Sequence, residues 1–186
     1  MKRSKQNSDL KKNHELKINL IKEIKSLLDS SSDNDTKYGN FLELRKKWIN
    51  IGKVPGHLAF GLNNSYSHQV KVFYDYLYLD KKFKNKDQAN NKKIKEQLIL
   101  DASKIEKFAD KLKAYRELLF IIRKWNYQVG PVKSDDEKKL ELKFDTIIKN
   151  IKNQKKYYLN NRDKFDKENL ENKKKLIKRF RDYLEN

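Results

Sequence analysis

The string Asn-x3-Lys-x2-Leu-Ile occurs three times in this chain, at Asn13/Lys17/Leu20/Ile21, Asn91/Lys95/Leu98/Ile99 and Asn169/Lys173/Leu176/Ile177, each copy 78 positions after the last. At the same offset Gly52-Lys53-Val54-Pro55 meets Gly130-Pro131-Val132-Lys133, and Leu62, Tyr66 and Phe73 meet Leu140, Phe144 and Ile151. A tryptophan precedes each glycine, Trp48 and Trp125, with one extra residue in the second copy. A chain that repeats at a fixed period folds into units that stack on one another. The period exceeds the roughly 20–50 residues of tight solenoids, so each unit reads as a helix pair. Composition supports this: only 37% of residues are hydrophobic, with 5 Gly and 2 Pro. That is too little apolar material for a thick core and too few turn residues for a many-stranded sandwich or barrel.

The pattern Trp-x3-Gly-x-Val-Pro, then Leu-x3-aromatic-x6-aromatic, then Asn-x3-Lys-x2-Leu-Ile resembles the bacterial helical repeat called "domain of unknown function 349". The resemblance covers roughly residues 13–184, with Trp48, Gly52, Val54 and Pro55 in one copy and Trp125, Gly130, Pro131 and Val132 in the next. Lys53 and Lys133 stand where the family has prolines, Ile151 replaces an aromatic, and Gly56 to Gly61 is an unusual start to a long helix. The resemblance implies a cytoplasmic, non-enzymatic, all-helical protein, usually with more repeats than this chain holds. It supplies no catalytic residues.

The expected fold is all-α: an elongated array of antiparallel helix pairs, each a short helix, a Gly/Pro turn and a long helix. Residues 1–37 read as the tail of a preceding repeat, 38–104 as one full repeat and 105–186 as another. Short helices are expected over 38–50 (Phe41, Leu44, Trp48) and over 105–125, from Ile105 to Trp125, where apolar residues step by three and four. Ser103-x-x-Glu106 and Ser134-x-x-Glu137 read as capping boxes. The turns at 52–55 and 130–131 are expected to stop the short helices through left-handed glycine and helix-breaking proline. Segment 70–79, rich in strand formers, reads as helix because Leu62, Tyr66, Val70, Phe73 and Leu77 keep the helical step. From Ser134 onward one unbroken helix of about 50 residues is expected. On a 100° wheel Ile151, Tyr158, Phe165, Leu176, Phe180 and Tyr183 all fall within about 60° of Ile147.

The opposite side of that wheel carries Lys149, Lys152, Lys156, Lys167, Lys174, Lys178 and Arg181. Across 149–181 there are 13 basic and 4 acidic residues, so about half of the formal charge of +19 lies there. Part of the total charge reads as codon drift, since 38 Lys stand against 7 Arg and 19 Asn against 5 Ala. A cationic stripe of this length can follow a phosphate backbone, and a solvated face is the plainer meaning of a charge run. The repeat places Lys71, Tyr74, Tyr78, Ala89, Glu96, Leu100 and Ser103 at the positions of Lys149, Lys152, Lys156, Lys167, Lys174, Lys178 and Arg181, so the stripe is not part of the repeated pattern.

Asn169 and Lys173 fall on the apolar side of the wheel. A polar pair on a packing face is hydrogen-bonded or snorkelling, so a device fixing helix register is preferred to a ligand site. Trp48 and Trp125 read as core anchors.

Catalytic and metal motifs are missing from the sequence. His14, His57 and His68 lack ligand spacing and there is no cysteine, which excludes a thiolate metal site and a disulfide scaffold. No phosphate-binding, dinucleotide or nucleophile-elbow motif occurs. No apolar run approaches a membrane span. The chain is therefore expected to be a non-enzymatic, cofactor-free, metal-free cytoplasmic adaptor with no small-molecule substrate. Its basic faces would dock on RNA, ribosomal or otherwise structured. The alternative is a protein–protein scaffold that uses coiled-coil-like seams, binding a partner or itself, with charge serving solubility.

Overall fold

The computed structural model describes residues 2–184, with side chains from Ser8 onward. Seven helices make up the described residues: α1 (Lys2–Asp29), α2 (Asn34–Asn50), α3 (Gly56–Leu77), α4 (Lys81–Glu106), α5 (Lys111–Tyr127), α6 (Ser134–Asn160) and α7 (Arg162–Leu184). No strand occurs among them, and segment 70–77 is helical as its step predicts.

Helices α1, α2 and α3 close around one core, with Leu20, Ile24, Phe41, Leu44, Trp48, Leu62, Tyr66, Phe73 and Leu77 buried together. Helices α4, α5 and α6 close around a second, with Leu98, Ala102, Leu118, Ile121, Trp125, Leu140, Phe144 and Ile151. In the first bundle Phe41 stacks on Phe73 at 4.0 Å and Trp48 on Tyr66 at 3.9 Å. Earlier residues of α2 meet later ones of α3, so the two helices run antiparallel. Trp125 stacks on Phe144 at 4.3 Å in the second bundle. These rings supply large buried area per residue, which suits a chain poor in aliphatic side chains.

The expected long helix of each unit is in fact two helices. Helix α3 stops at Tyr78, and Asp80 starts α4 by accepting hydrogen bonds from the backbone N–H groups of Lys82 and Phe83. The unbroken helix expected from Ser134 likewise ends at Asn160. Asn161 takes φ −115° and ψ 19°, and its carboxamide donates to the Tyr157 carbonyl at 2.9 Å, so its side chain competes with the backbone ladder for that acceptor. As a result α4 leaves the first bundle to become the opening helix of the second. Helix α7 leaves the second bundle in the same way.

Neither expected capping box forms. Ser103 lies inside α4, where its hydroxyl bonds back to the Ile99 carbonyl. Helix α5 starts eight residues later, behind Asp110. Ser134 is the first helical residue of α6, and Lys133 ahead of it makes no side-chain cap. The caps in use are aspartates. Asp33 accepts from the Thr36 N–H and hydroxyl, and Asp110 from the N–H groups of Leu112 and Lys113.

Both carboxyls are held below the ordinary aspartate range, Asp33 chiefly by the Thr36 backbone N–H and Asp110 chiefly by that of Lys113. A folded-state pKa below the unfolded one gives stability that is full above about pH 4 and lost as pH falls through the folded value. Asparagine caps about as well as aspartate but does not titrate. The Asp33→Asn, Asp110→Asn double variant should therefore melt close to the parent near neutral pH and lose less of its Tm on acidification. Melting curves from neutral to acid pH check this; parallel declines would show that the caps contribute nothing to the acid limb.

Candidate functional site

Two of the three Asn-x3-Lys boxes occupy matching sockets. Asn13 on α1 donates Nδ2 to the Lys53 carbonyl at 2.8 Å, and Asn91 on α4 donates Nδ2 to the Pro131 carbonyl at 3.1 Å. Each acceptor directly follows a glycine. A Cβ on Gly52 would lie 2.8 Å from Asn13 Nδ2, and one on Gly130 would lie 2.5 Å from Asn91 Nδ2 and against the Tyr74 hydroxyl. No glycine among the described residues has positive φ, so the left-handed cap expected at the two turns is not used. Glycine is required because the carboxamide fills the space of its missing side chain, a close approach that only glycine permits.

Four residues after each asparagine, a lysine lies over the tryptophan of the same socket. The Lys17 ammonium is 4.4 Å from the Trp48 ring centroid and that of Lys95 is 4.6 Å from Trp125. Burial, and next the charge of Arg123, push the Lys17 pKa down, and the ring face returns part of the lost solvation as a cation–π contact. Lys95 is buried and also ion-pairs with Glu137. Lys92 beside it pairs with Asp136 at 2.8 Å, and that hydrogen bond is the main cause that holds the Asp136 carboxyl low. Glu137, expected in a capping box, thus serves as the lysine's counter-ion. Pro55 directly precedes α3 and Pro131 supplies the carbonyl that Asn91 reads.

A second polar cluster joins the two bundles. Arg45 on α2 is fully buried and donates to the Tyr127 and Val129 carbonyls at 3.0 Å each, and to the Tyr74 hydroxyl at 2.8 Å. It thereby satisfies carbonyls left open where α5 ends, with a cation at the negative end of that helix. The Tyr66 hydroxyl donates to the Tyr127 carbonyl at 2.7 Å. Burial pushes the Tyr74 hydroxyl up to about 12, which keeps it neutral. Below it, buried Asp87 accepts from Tyr38, from Tyr78 at 2.6 Å and from Asn91 at 2.8 Å. Burial first, then the bond to Asp87, raises Tyr38 and Tyr78 well above the ordinary tyrosine range. Sequence reading missed this joint: the helical step marks Leu44 and Trp48, and nothing in it marks the intervening arginine as buried.

The third box has no socket among the described residues. Asn169 and Lys173 are exposed on α7. Leu176 is 67% exposed where its counterparts Leu20 and Leu98 are 5% and 6%, and Phe180 is 64% exposed where Ile24 and Ala102 are 0%. Leu170, Ile177, Tyr183 and Leu184 are exposed as well. The apolar seam expected along the last helix is packed through α6 and as far as Phe165 in the first turn of α7, which stacks on Tyr158 at 5.7 Å, and is exposed beyond it.

All seven cationic residues of the expected stripe are exposed: Lys149, Lys152 and Lys156 on α6, and Lys167, Lys174, Lys178 and Arg181 on α7. The non-helical Asn161 separates the two groups, so they do not form one continuous stripe on one helix. Lys174 pairs with Glu171 at 3.0 Å on the surface. No group of three His, Asp or Glu is placed to hold a metal ion among the described residues. No helix there is long and apolar enough to cross a membrane.

The interlock of glycine and asparagine has a direct test. Gly52→Ala and Gly130→Ala should each destabilise, by about 1–3 kcal/mol for a forced overpacking, with Gly130→Ala the worse because two side chains obstruct it. Asn13→Ala combined with Gly52→Ala should cost clearly less than the sum of the single changes, since the first removes the atom the second strikes. Denaturant titration of the four proteins checks this, and simple additivity would refute the steric account.

Residues 2–57, which span α1, α2, the first glycine turn and the start of α3, match the family model described as Domain of Unknown Function (DUF349). No curated protein and no solved structure matches the chain. The matched segment contains one complete socket, formed by Asn13, Lys17, Trp48, Gly52 and Lys53, and over residues 2–57 the chain is similar to the DUF349 family.

Proposed function

We propose that this protein is a non-enzymatic helical adaptor of the cytoplasm whose α7 is a docking element for a protein partner. The observation that carries the reading is the exposed apolar face of α7, at positions whose counterparts in α1 and α4 are buried. Contiguous apolar surface on a soluble protein marks an interaction site more often than an idle one. The buried polar side chains support the non-enzymatic part, since Arg45, Asp87, Asn91 and Lys95 are each engaged in joining helices. We further propose that 38–104 and 105–186 are the duplicated sequence units, with 1–37 the tail of a preceding one; the matching roles of Asn13 and Asn91 support that division.

Docking on RNA is the second reading, favoured by the exposure of all seven stripe cations. It requires RNA that meets cations on two successive helices, α6 and α7, which Asn161 joins.

Pull-down from a cell extract, with the parent chain compared with Phe180→Asp and with a Lys149→Glu, Lys152→Glu, Lys156→Glu variant, distinguishes the readings. The adaptor reading expects a partner retained at high salt, lost with Phe180→Asp and kept by the lysine variant. RNA docking expects a nucleic-acid partner whose log K falls steeply with log[salt] and which the lysine variant weakens. Binding that Phe180→Asp leaves untouched would overturn the first reading. Helicity of each variant should match the parent, since every substituted side chain is exposed.

A further inference from the structure

The two filled sockets specify what covers α7. Each consists of a short helix that carries a tryptophan, a turn in which a glycine precedes an accepting carbonyl, and a following helix with an aromatic stacked on the tryptophan. Helices α2–α3 and α5–α6 provide this twice, and in both cases the covering pair lies on an Asn-x3-Lys-x2-Leu-Ile helix that the Asn and Lys side chains lock in register. Helix α7 carries the same residues at the same spacing, followed by Phe180 and Tyr183 where α1 has Ile24 and Leu27.

We infer that α7 docks a helix pair of this kind on a partner protein: Lys173 over its tryptophan, Asn169 donating to its turn carbonyl against a glycine, and Phe180 in its core. The inference rests on the adaptor reading and names the partner's class. A second copy of this chain fits poorly. Its two pairs are already covered by their own α1 and α4, and α1 is tethered to α2 by only residues 30–33, which keeps it at millimolar-scale effective concentration against any competitor. Size also discriminates. The α5–α6 pair receives Ala102 at the Phe180 position, so seating Phe180 there would overpack a core that leaves Ala102 no exposure. The partner's pair must hold a larger pocket at that point.

The test extends the full chain. Asn186 falls where Ser30 falls in the first unit, so residues 31–77 added after Asn186 present a second α2–α3 pair to α7 in the register that α1 uses. Phe180→Ile is included so that the side chain matches the Ile24 pocket. Hydrogen exchange over residues 170–184 should slow at least tenfold relative to the unextended Phe180→Ile chain. Adding Asn169→Ala and Lys173→Ala, which keep α7 helical, should remove most of that protection.

If α7 stays unprotected, or the added pair stays unfolded by circular dichroism, the partner class is wrong, while the adaptor reading is still judged by the Phe180→Asp pull-down. Protection indifferent to Asn169 and Lys173 would overturn the inference too, since the box would not be what is recognised. So would protection of α7 in the unmodified chain that grows with its own concentration, which would identify a second copy, or that needs phosphatidylserine vesicles, which would identify a lipid surface.

Discussion

The fold depends on the place of one absent atom group. At Gly52 and Gly130 the missing Cβ leaves room for an asparagine carboxamide, and the next carbonyl accepts its hydrogen bond. One contact therefore fixes where the turn sits on the opening helix, and with it the angle at which both helices of the pair leave. Four residues along, one turn of helix, a lysine over a tryptophan fixes the rotation. Together these two contacts set register and rotation with little apolar surface, which a chain only 37% hydrophobic needs. The cores behind them then need only fill, and their volumes vary freely: Phe41 and Tyr66 of the first bundle become Leu118 and Phe144 in the second.

Continuity between bundles comes from elsewhere. Arg45 reaches from α2 to the open carbonyls at the end of α5, and Asp87 gathers Tyr38, Tyr78 and Asn91. Each of these buried polar side chains has hydrogen-bond partners that offset the cost of taking it out of water. Asn91 belongs to both systems, since its carboxamide bonds Asp87 and the turn carbonyl at once. Loss of the first bundle's packing would therefore be felt in the second. The array is not a string of independent units, although its sequence repeats as one.

Much of this was legible in the residues. The 78-residue spacing pairs Asn13 with Asn91 and Lys17 with Lys95, which make matching contacts, and Trp48, Trp125, Asn91 and Lys95 are buried. The features that escaped sequence reading share a cause. Helix breaks at Tyr78 and Asn161 arise where a side chain or a cap competes with one backbone bond, and an ideal wheel contains no such competition. Glycine was read through its φ freedom when its value lay in its bare Cα, a property of the partner helix more than of the turn. Glu137 matched a capping pattern by spacing alone, while its charge was bound to Lys95 on another helix. Spacing along a chain reports local geometry well and tertiary partners only where the same pair recurs.

That recurrence makes the state of α7 informative. Neither an apolar face nor the Asn-x3-Lys box stabilises an isolated, solvated helix. Helix α7 nonetheless keeps Asn169, Lys173, Leu176 and Ile177 in register, and carries larger side chains, Phe180 and Tyr183, at the next two seam positions. Its basic residues do not substitute for that face, since Lys167, Lys174, Lys178 and Arg181 project from the other side of the helix. The two surfaces of α7 are therefore distinct: one carries the cations, and the other is an exposed apolar stripe that bears the same Asn and Lys which, on α1 and α4, meet a glycine turn and an indole ring.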